Sequence, residues 1–196
     1  MTEKDNFQLS DQPGLTKDAE IKVEQAFAGK IWDVVRKTFR FQDEVLVREY
    51  VAHRGAVAVL ALNDNDEVLL IKQYRAPVNE YLFEMPAGLR DHDGEDDLVA
   101  AQRELAEETD YQAGDWSHLQ TFYTTPGSSS EVIEIFLARN LAKTDIVFER
   151  TGEEKGMVPI WIPFQDVLDA IFSSKIKSPT LVVAVLSLAA QRNQNG

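Results

Sequence analysis

Glu104, Glu107 and Glu108 stand at i, i+3 and i+4, which on a helix places three carboxylates on one face. Like charges at that spacing oppose the helix, and most Glu-rich helices carry them as a solvated acidic face. Here Leu98, Ala101 and Leu105 recur at i, i+3 and i+7 and give the same segment an apolar side that must dock. A turn at 91–94 enters the segment, and Pro86-Ala87-Gly88 precedes that turn. Clustered carboxylates facing a turn with backbone carbonyls form an all-oxygen donor set. Mg2+ or Mn2+ takes such a set while keeping waters and phosphate oxygens in its remaining positions. The chain has no cysteine, so neither thiolate ligands nor thiol nucleophiles compete with this reading.

The elements that must hold these residues can be read from periodicity and turn chemistry. Positions 1–18 are polar and read as a flexible tail. Three strand-like runs follow at 21–28, 30–41 and 45–52, separated by Gly29 and Gln42-Asp43. Three strands cannot cover both of their own faces. The segment 19–53 is therefore expected to be an antiparallel β appendage that leans on the rest of the chain or on a second subunit. Residues 55–62 are small and apolar, as in a buried strand, and 67–75 form another. The turn residues 63–66 between them predict a hairpin. A short extended stretch at 81–85 ends at Pro86, and a helix is expected from Asp96 to Thr109. Strands are expected at 117–123, 132–138 and 157–162, with a polar loop at 140–155. Amphipathic helices are expected at 164–172 and 180–191. Strands mixed with few helices predict an α/β (α+β) sandwich rather than a doubly wound sheet.

The 196 residues fit one main domain, 54–196, behind the appendage. The formal net charge of −13 repels phosphate backbones and argues against general nucleic-acid binding. It does not exclude a small anionic substrate, because metal ions and local arginines can reverse the sign inside a pocket. The N-terminus lacks the basic-then-apolar pattern of a signal peptide. The longest apolar run, 181–190, is too short to span a bilayer. No membrane association and a cytoplasmic location are the expectations. The three histidines, His53, His92 and His118, do not suggest a site.

The stretch 88–111 resembles the Nudix signature, with Gly88, Glu95, Arg103, Glu104, Leu105, Glu107, Glu108, Asp110 and Tyr111 at the matching positions. Two departures stand out. Six residues separate Gly88 from Glu95 where the common pattern has five, and Asp110 replaces the final glycine. A turn absorbs one extra residue cheaply. Asp tolerates the positive φ expected just past a helix better than most residues. The resemblance implies a Nudix-type α/β/α sandwich. It implies that Gly88, Glu95 and Arg103 are structural, with Glu95 paired to Arg103. It implies that Glu104, Glu107, Glu108 and the carbonyl of Ala87 hold Mg2+ (or Mn2+), with Glu107 also counted as catalytic.

Three features outside that stretch resemble the ADP-ribose pyrophosphatase branch. Residues 84–88 (Glu-Met-Pro-Ala-Gly) lead into the box, and Pro126 lies sixteen positions past Asp110. By position-matching, the loop around Pro126 implies Thr125, Gly127 and Glu131 as contacts of the terminal ribose. Arg48 and Glu49 match residues that hold the adenine side from a partner subunit, which implies a homodimer with an exchanged appendage. Arg75 could meet phosphate oxygens as a planar, fully charged donor, and Trp32 is a candidate for stacking on the base. The general base is implied on the glycine-flanked loop 151–156, with Glu153 preferred and Glu154 next. The implied reaction is hydrolysis of ADP-ribose to AMP and ribose 5-phosphate. Another nucleotide sugar, such as ADP-glucose or GDP-mannose, or a nucleoside triphosphate remains an alternative substrate. A non-catalytic nucleotide-binding module is the alternative of a different class.

Overall fold

The computed structural model describes residues 9–15, 21–146, 148 and 157–195. The chain divides into two compact units, Met1–Ala52 and His53–Gly196. The first unit holds a three-stranded antiparallel sheet in the order β1-β2-β3, with β1 Ile21–Phe27, β2 Asp33–Phe41 and β3 Glu44–Ala52. None of the described residues from 21 to 52 is buried. Val23, Phe27, Phe41, Val45 and Val47 are among its exposed apolar side chains.

The described residues of the second unit form two sheets. One has the order β7-β4-β9-β8, from β7 Ala87–Leu89, β4 Ala56–Ala61, β9 Val132–Lys143 and β8 Tyr111–Tyr123. The other has the order β10-β5-β6, from β10 Ile160–Pro163, β5 Glu67–Arg75 and β6 Glu80–Glu84. The helices among its described residues are α1 Asp97–Thr109, α2 Phe164–Phe172 and α3 Pro179–Asn195.

Alternation along β4 organises the core. Val57, Val59 and Ala61 join Ala100, Ala101 and Leu105 of α1 in one cluster. Ala56, Ala58 and Leu60 join Phe164 and Val167 of α2 and Leu181, Ala184 and Leu188 of α3 in another. Because successive strand residues point to opposite faces, one strand buries both of its sides, and the unit is an α/β/α sandwich. Burial of Leu105 alone is worth about 2 kcal/mol. A like-charge pair at i, i+4 costs only ~0.2–0.5 kcal/mol, so docking outweighs the glutamate repulsion on α1.

The expected hairpin of β4 and β5 does not form. Both edges of β4 are occupied, by β7 on one side and by β9, in parallel, on the other. Only the Leu62–Val68 bridge and the Asn63 N–H to the Glu67 carbonyl pair this stretch with β5, which instead pairs with β6 and β10. The turn at 63–66, with the Asn63 side chain accepting the Asn65 and Glu67 N–H groups, passes the chain from one sheet to the other. Strands β8 and β9 are longer than their composition suggests. Their mutual pairing runs from Tyr111–Lys143 to Tyr123–Val132 and carries polar residues that would otherwise read as loop. Among the described residues no helix is long and apolar enough to cross a membrane.

Candidate active site

Helix α1 is placed by its two ends. Asp96 is the N-cap, and its side chain accepts the Leu98 N–H at 2.9 Å. Asp97 in the first turn complements the helix dipole. At the other end Asp110 adopts φ 59° and ψ 30°, and its N–H reaches the Ala106 carbonyl at 2.9 Å. Asp110 therefore occupies the left-handed position where glycine is usual, and the chain passes straight into β8.

Short strand β7 faces the carboxylates of α1. Gly88 pairs with Val57 of β4 and lies against Glu104, so that a Cβ at position 88 would fall on the Glu104 carboxylate. The neighbouring Ala87 N–H donates to Glu108 Oε2 at 2.9 Å. Glu104 and Glu108 thus meet the same three-residue strand, and the more exposed Glu107 lies 3.5 Å from the Arg103 Nη1. Arg103 ties this face to the preceding loop. It donates to Glu95 at 3.0 and 3.2 Å, to Glu104 at 2.5 Å and to Asp91 at 3.4 Å.

The charges respond to that packing. Burial raises the Glu104 pKa above the ordinary carboxylate value, and the neighbouring Arg103 only partly offsets it. The Arg103 hydrogen bond lowers the Glu95 pKa, and the Arg103 pKa is raised, chiefly by Glu95. A desolvated carboxylate gains most from a cation. The hard oxygen donors of Glu104, Glu107 and Glu108 and the Ala87 carbonyl therefore suit Mg2+ or Mn2+. Asp91, His92 and Glu95 also bring ligand atoms within 4.8 Å of one another, but Asp91 and His92 are exposed and Glu95 is committed to Arg103.

The remaining predicted positions lie on different elements. Arg75 forms a forked pair with Glu84, Nε to Oε1 at 2.8 Å and Nη2 to Oε2 at 2.6 Å. That pair fixes the guanidinium beside the strand leading to Ala87. Thr125, Gly127 and Glu131 lie on the loop between β8 and β9. There the Thr125 carbonyl accepts the Ser128 and Ser129 N–H groups at 2.9 Å, and Glu131 accepts from Thr124 Oγ1 at 2.5 Å. Arg48 and Glu49 belong to β3 of the first unit. Being consecutive strand residues, they face opposite sides of their sheet. Glu49 pairs with Arg36 at 2.6 Å, and Arg48 donates to the Val47 carbonyl at 2.8 Å. Trp32 lies just before β2. Glu153 and Glu154 are outside the described residues.

Sequence reasoning noted Glu84 only as the head of the Glu-Met-Pro-Ala-Gly stretch and missed its role: it is buried against Arg75. It also missed Arg90, which bridges Asp97 at 2.7 Å and Glu134 at 3.5 Å and so braces the loop entering α1. It gave His53 no role, yet that residue touches Glu131. None of these pairings follows a helical or strand period, so no local pattern announces them.

A family model described as NUDIX domain matches residues 52–180. A protein of Bacillus methanolicus named methanol dehydrogenase activator is 32% identical over 178 residues, covering 90% of this chain and 95% of that protein. An ADP-ribose pyrophosphatase of Bacillus subtilis (strain 168) is 32% identical over 170 residues, covering 86% of this chain and 91% of that protein. A solved structure described as an ADP compounds hydrolase superposes with a TM-score of 0.76 at 22% identity, covering 94% of this chain and 99% of that one.

Proposed function

The chain belongs to the Nudix family, and from that premise we propose that it is an ADP-ribose pyrophosphatase. The observation that carries the reading is the meeting of α1 with β7, where Glu104 rests against Gly88 and Glu108 accepts the Ala87 N–H. That meeting supports the reading, because it brings two of the signature carboxylates against one short strand. The likeness to a Bacillus subtilis ADP-ribose pyrophosphatase over 86% of the chain supports the substrate.

Water adds to one phosphorus of ADP-ribose, the bridging P–O bond breaks, and AMP and ribose 5-phosphate leave. Glu104, Glu107, Glu108 and the Ala87 carbonyl hold Mg2+ (or Mn2+). When bound, the ion supplies Lewis-acid stabilisation of negative charge on the pyrophosphate. Arg75, steadied by Glu84, offers its guanidinium to phosphate oxygens. Thr125, Gly127 and Glu131 take the terminal ribose. Glu153, with Glu154 as the alternative, accepts the proton of the attacking water. Arg48 and Glu49 hold the adenine side, delivered across a homodimer by exchange of the 19–53 appendage. The wholly unburied β1-β2-β3 sheet, with its exposed Val23, Phe27 and Val45, supports such a partner.

The test is AMP release from ADP-ribose by the purified protein with and without Mg2+, beside ADP-glucose, GDP-mannose and dNTPs. Metal-dependent release that is strongest from ADP-ribose is the expected result. Activity confined to another substrate retains the metal site and discards the assignments of Arg48, Glu49 and Glu131. Inactivity on every substrate favours the non-catalytic module.

A further inference from the structure

We propose that His53 is a positioning residue for Glu131, fixing that carboxylate as an acceptor for the hydroxyls of the substrate's terminal sugar. The role rests on the pyrophosphatase reading above. The two residues are 78 positions apart, and no sequence pattern connects them.

The His53 side chain is buried, at 7% exposure. Its Nδ1 accepts the Gly55 backbone N–H at 2.9 Å. A neutral imidazole accepts only at its unprotonated nitrogen, so the proton belongs to Nε2. That nitrogen lies 3.2 Å from Glu131 Oε1. The other carboxylate oxygen, Oε2, takes the Thr124 hydroxyl at 2.5 Å. One Glu131 oxygen thus takes a hydroxyl hydrogen bond while the other lies beside the imidazole Nε2, and each has a lone pair left for a ligand. Glu131 is partly exposed, at 26%, so those lone pairs are within reach of a ligand.

The main chain of His53 clamps the same loop. Its N–H donates to Ser130 Oγ at 2.8 Å, and Ser130 Oγ donates back to the His53 carbonyl at 3.2 Å. The Glu131 N–H donates to Ser129 Oγ at 3.1 Å. Side chain and backbone of one residue therefore fix both the loop and its carboxylate. An arginine here would fork onto both oxygens and neutralise them. An imidazole with its proton on Nε2 orients the carboxylate and leaves its charge for the sugar hydroxyls, as an outer-shell partner orients a ligand in a metal site.

The experiment compares the full-length wild type with His53→Ala, His53→Gln, Glu131→Gln and the His53→Ala/Glu131→Gln double variant. For His53→Ala, KM for ADP-ribose is expected to rise about 10-fold, the loss of roughly one hydrogen bond to a charged group, with kcat little changed. Inhibition by AMP, which lacks the terminal sugar, should stay at the wild-type level. His53→Gln, which keeps an amide donor, should recover most of the loss. The double variant should be no worse than Glu131→Gln, because both changes remove one interaction. In wild type, 15N shifts should show the Nε2–H tautomer of His53, a readout that needs neither a folded variant nor activity. Additive effects, AMP inhibition weakened in step with KM, a fall in kcat alone, or the Nδ1–H tautomer would overturn the role. A wild type that does not hydrolyse ADP-ribose overturns the substrate reading and this role together. An active wild type whose His53→Ala variant keeps its KM overturns only the role of His53.

Discussion

Glu108 Oε2 accepts the backbone N–H of Ala87 at 2.9 Å, joining the last turn of α1 to β7 across 21 positions. The same carboxylate is therefore both a structural link and a proposed metal ligand, and one substitution separates the two. Glu108→Gln keeps an acceptor oxygen for the Ala87 N–H and removes the charge. Activity should fall on the order of 10³-fold, as for loss of a group that stabilises transition-state charge. Stability should change by less than about 1 kcal/mol, or ~2–4 °C in Tm. Kinetics and thermal melts check both, and a wild-type-like kcat would remove Glu108 from the metal site.

Gly88→Ala drives a methyl group onto the Glu104 carboxylate. Overpacking of this kind costs about 1–3 kcal/mol when the neighbour cannot give way. Here the neighbour can swing, so the expected cost is chiefly functional. The Mg2+ concentration for half-maximal activity should rise about 10-fold or more, the scale on which a mis-set ligand weakens a metal site. A metal titration of activity that superposes on wild type would contradict the proposed role of Glu104.

Metal removal should abolish activity and leave the fold intact, because the clusters that hold α1 are apolar and independent of the carboxylates. Treatment with EDTA is expected to leave the far-ultraviolet circular dichroism unchanged, and Mg2+ to restore turnover. Added Mg2+ should also raise Tm, since a ligand at 100 times its Kd stabilises the folded state by about 2.7 kcal/mol. A Tm indifferent to Mg2+ would argue against a built site.

Arg48→Ala should raise KM for ADP-ribose on the order of 10-fold, the loss of a charged hydrogen bond. Its kcat should hold, because the residue is assigned to the adenine end and not to the reacting phosphorus. Steady-state kinetics separate the two parameters, and a fall in kcat with KM constant would displace Arg48 from the base pocket.

Away from the site, Asp66 and Arg192 form a two-pronged ion pair at 3.0 and 2.5 Å that ties the end of α3 to the turn after β4. Arg192 holds the Asp66 carboxyl below its ordinary value. A depressed carboxylate pKa adds stability above the unfolded value, about 3.9, and loses it as pH falls through the folded value. The pair is partly solvated, so it contributes about 0.5–1 kcal/mol. Asp66→Asn, which also tolerates the left-handed backbone there, should be less stable than wild type at pH 7 by that amount and converge on it in acid. Denaturant titrations across pH check the convergence, and kcat should be unchanged.

The local elements were largely legible. Helix α1 follows from the Leu98, Ala101 and Leu105 period and the Asp96 cap, and α2 spans 164–172 as its pattern predicts. The left-handed turn at Asp110 was anticipated from its place after the helix. The pairing of β4 was not legible, because its small apolar residues suit a strand with any neighbours, and only competition among β5, β7 and β9 for two edges decides which it takes. Three-residue β7 is too short to carry a period, yet it brings Ala87 and Gly88 to the glutamates.

By itself, then, the sequence determined that three carboxylates share one face of a docked helix, because helical spacing is a local property of the chain. It determined that any metal there must be held by oxygen or imidazole ligands, because no cysteine exists to offer a thiolate. Only the tertiary structure decided that Glu104 meets Gly88, that Arg75 is held by Glu84 and that His53 faces Glu131. These contacts join residues on different strands and loops, and their partners are chosen by sheet pairing and by the need of buried polar atoms for hydrogen bonds, neither of which leaves a period in the chain.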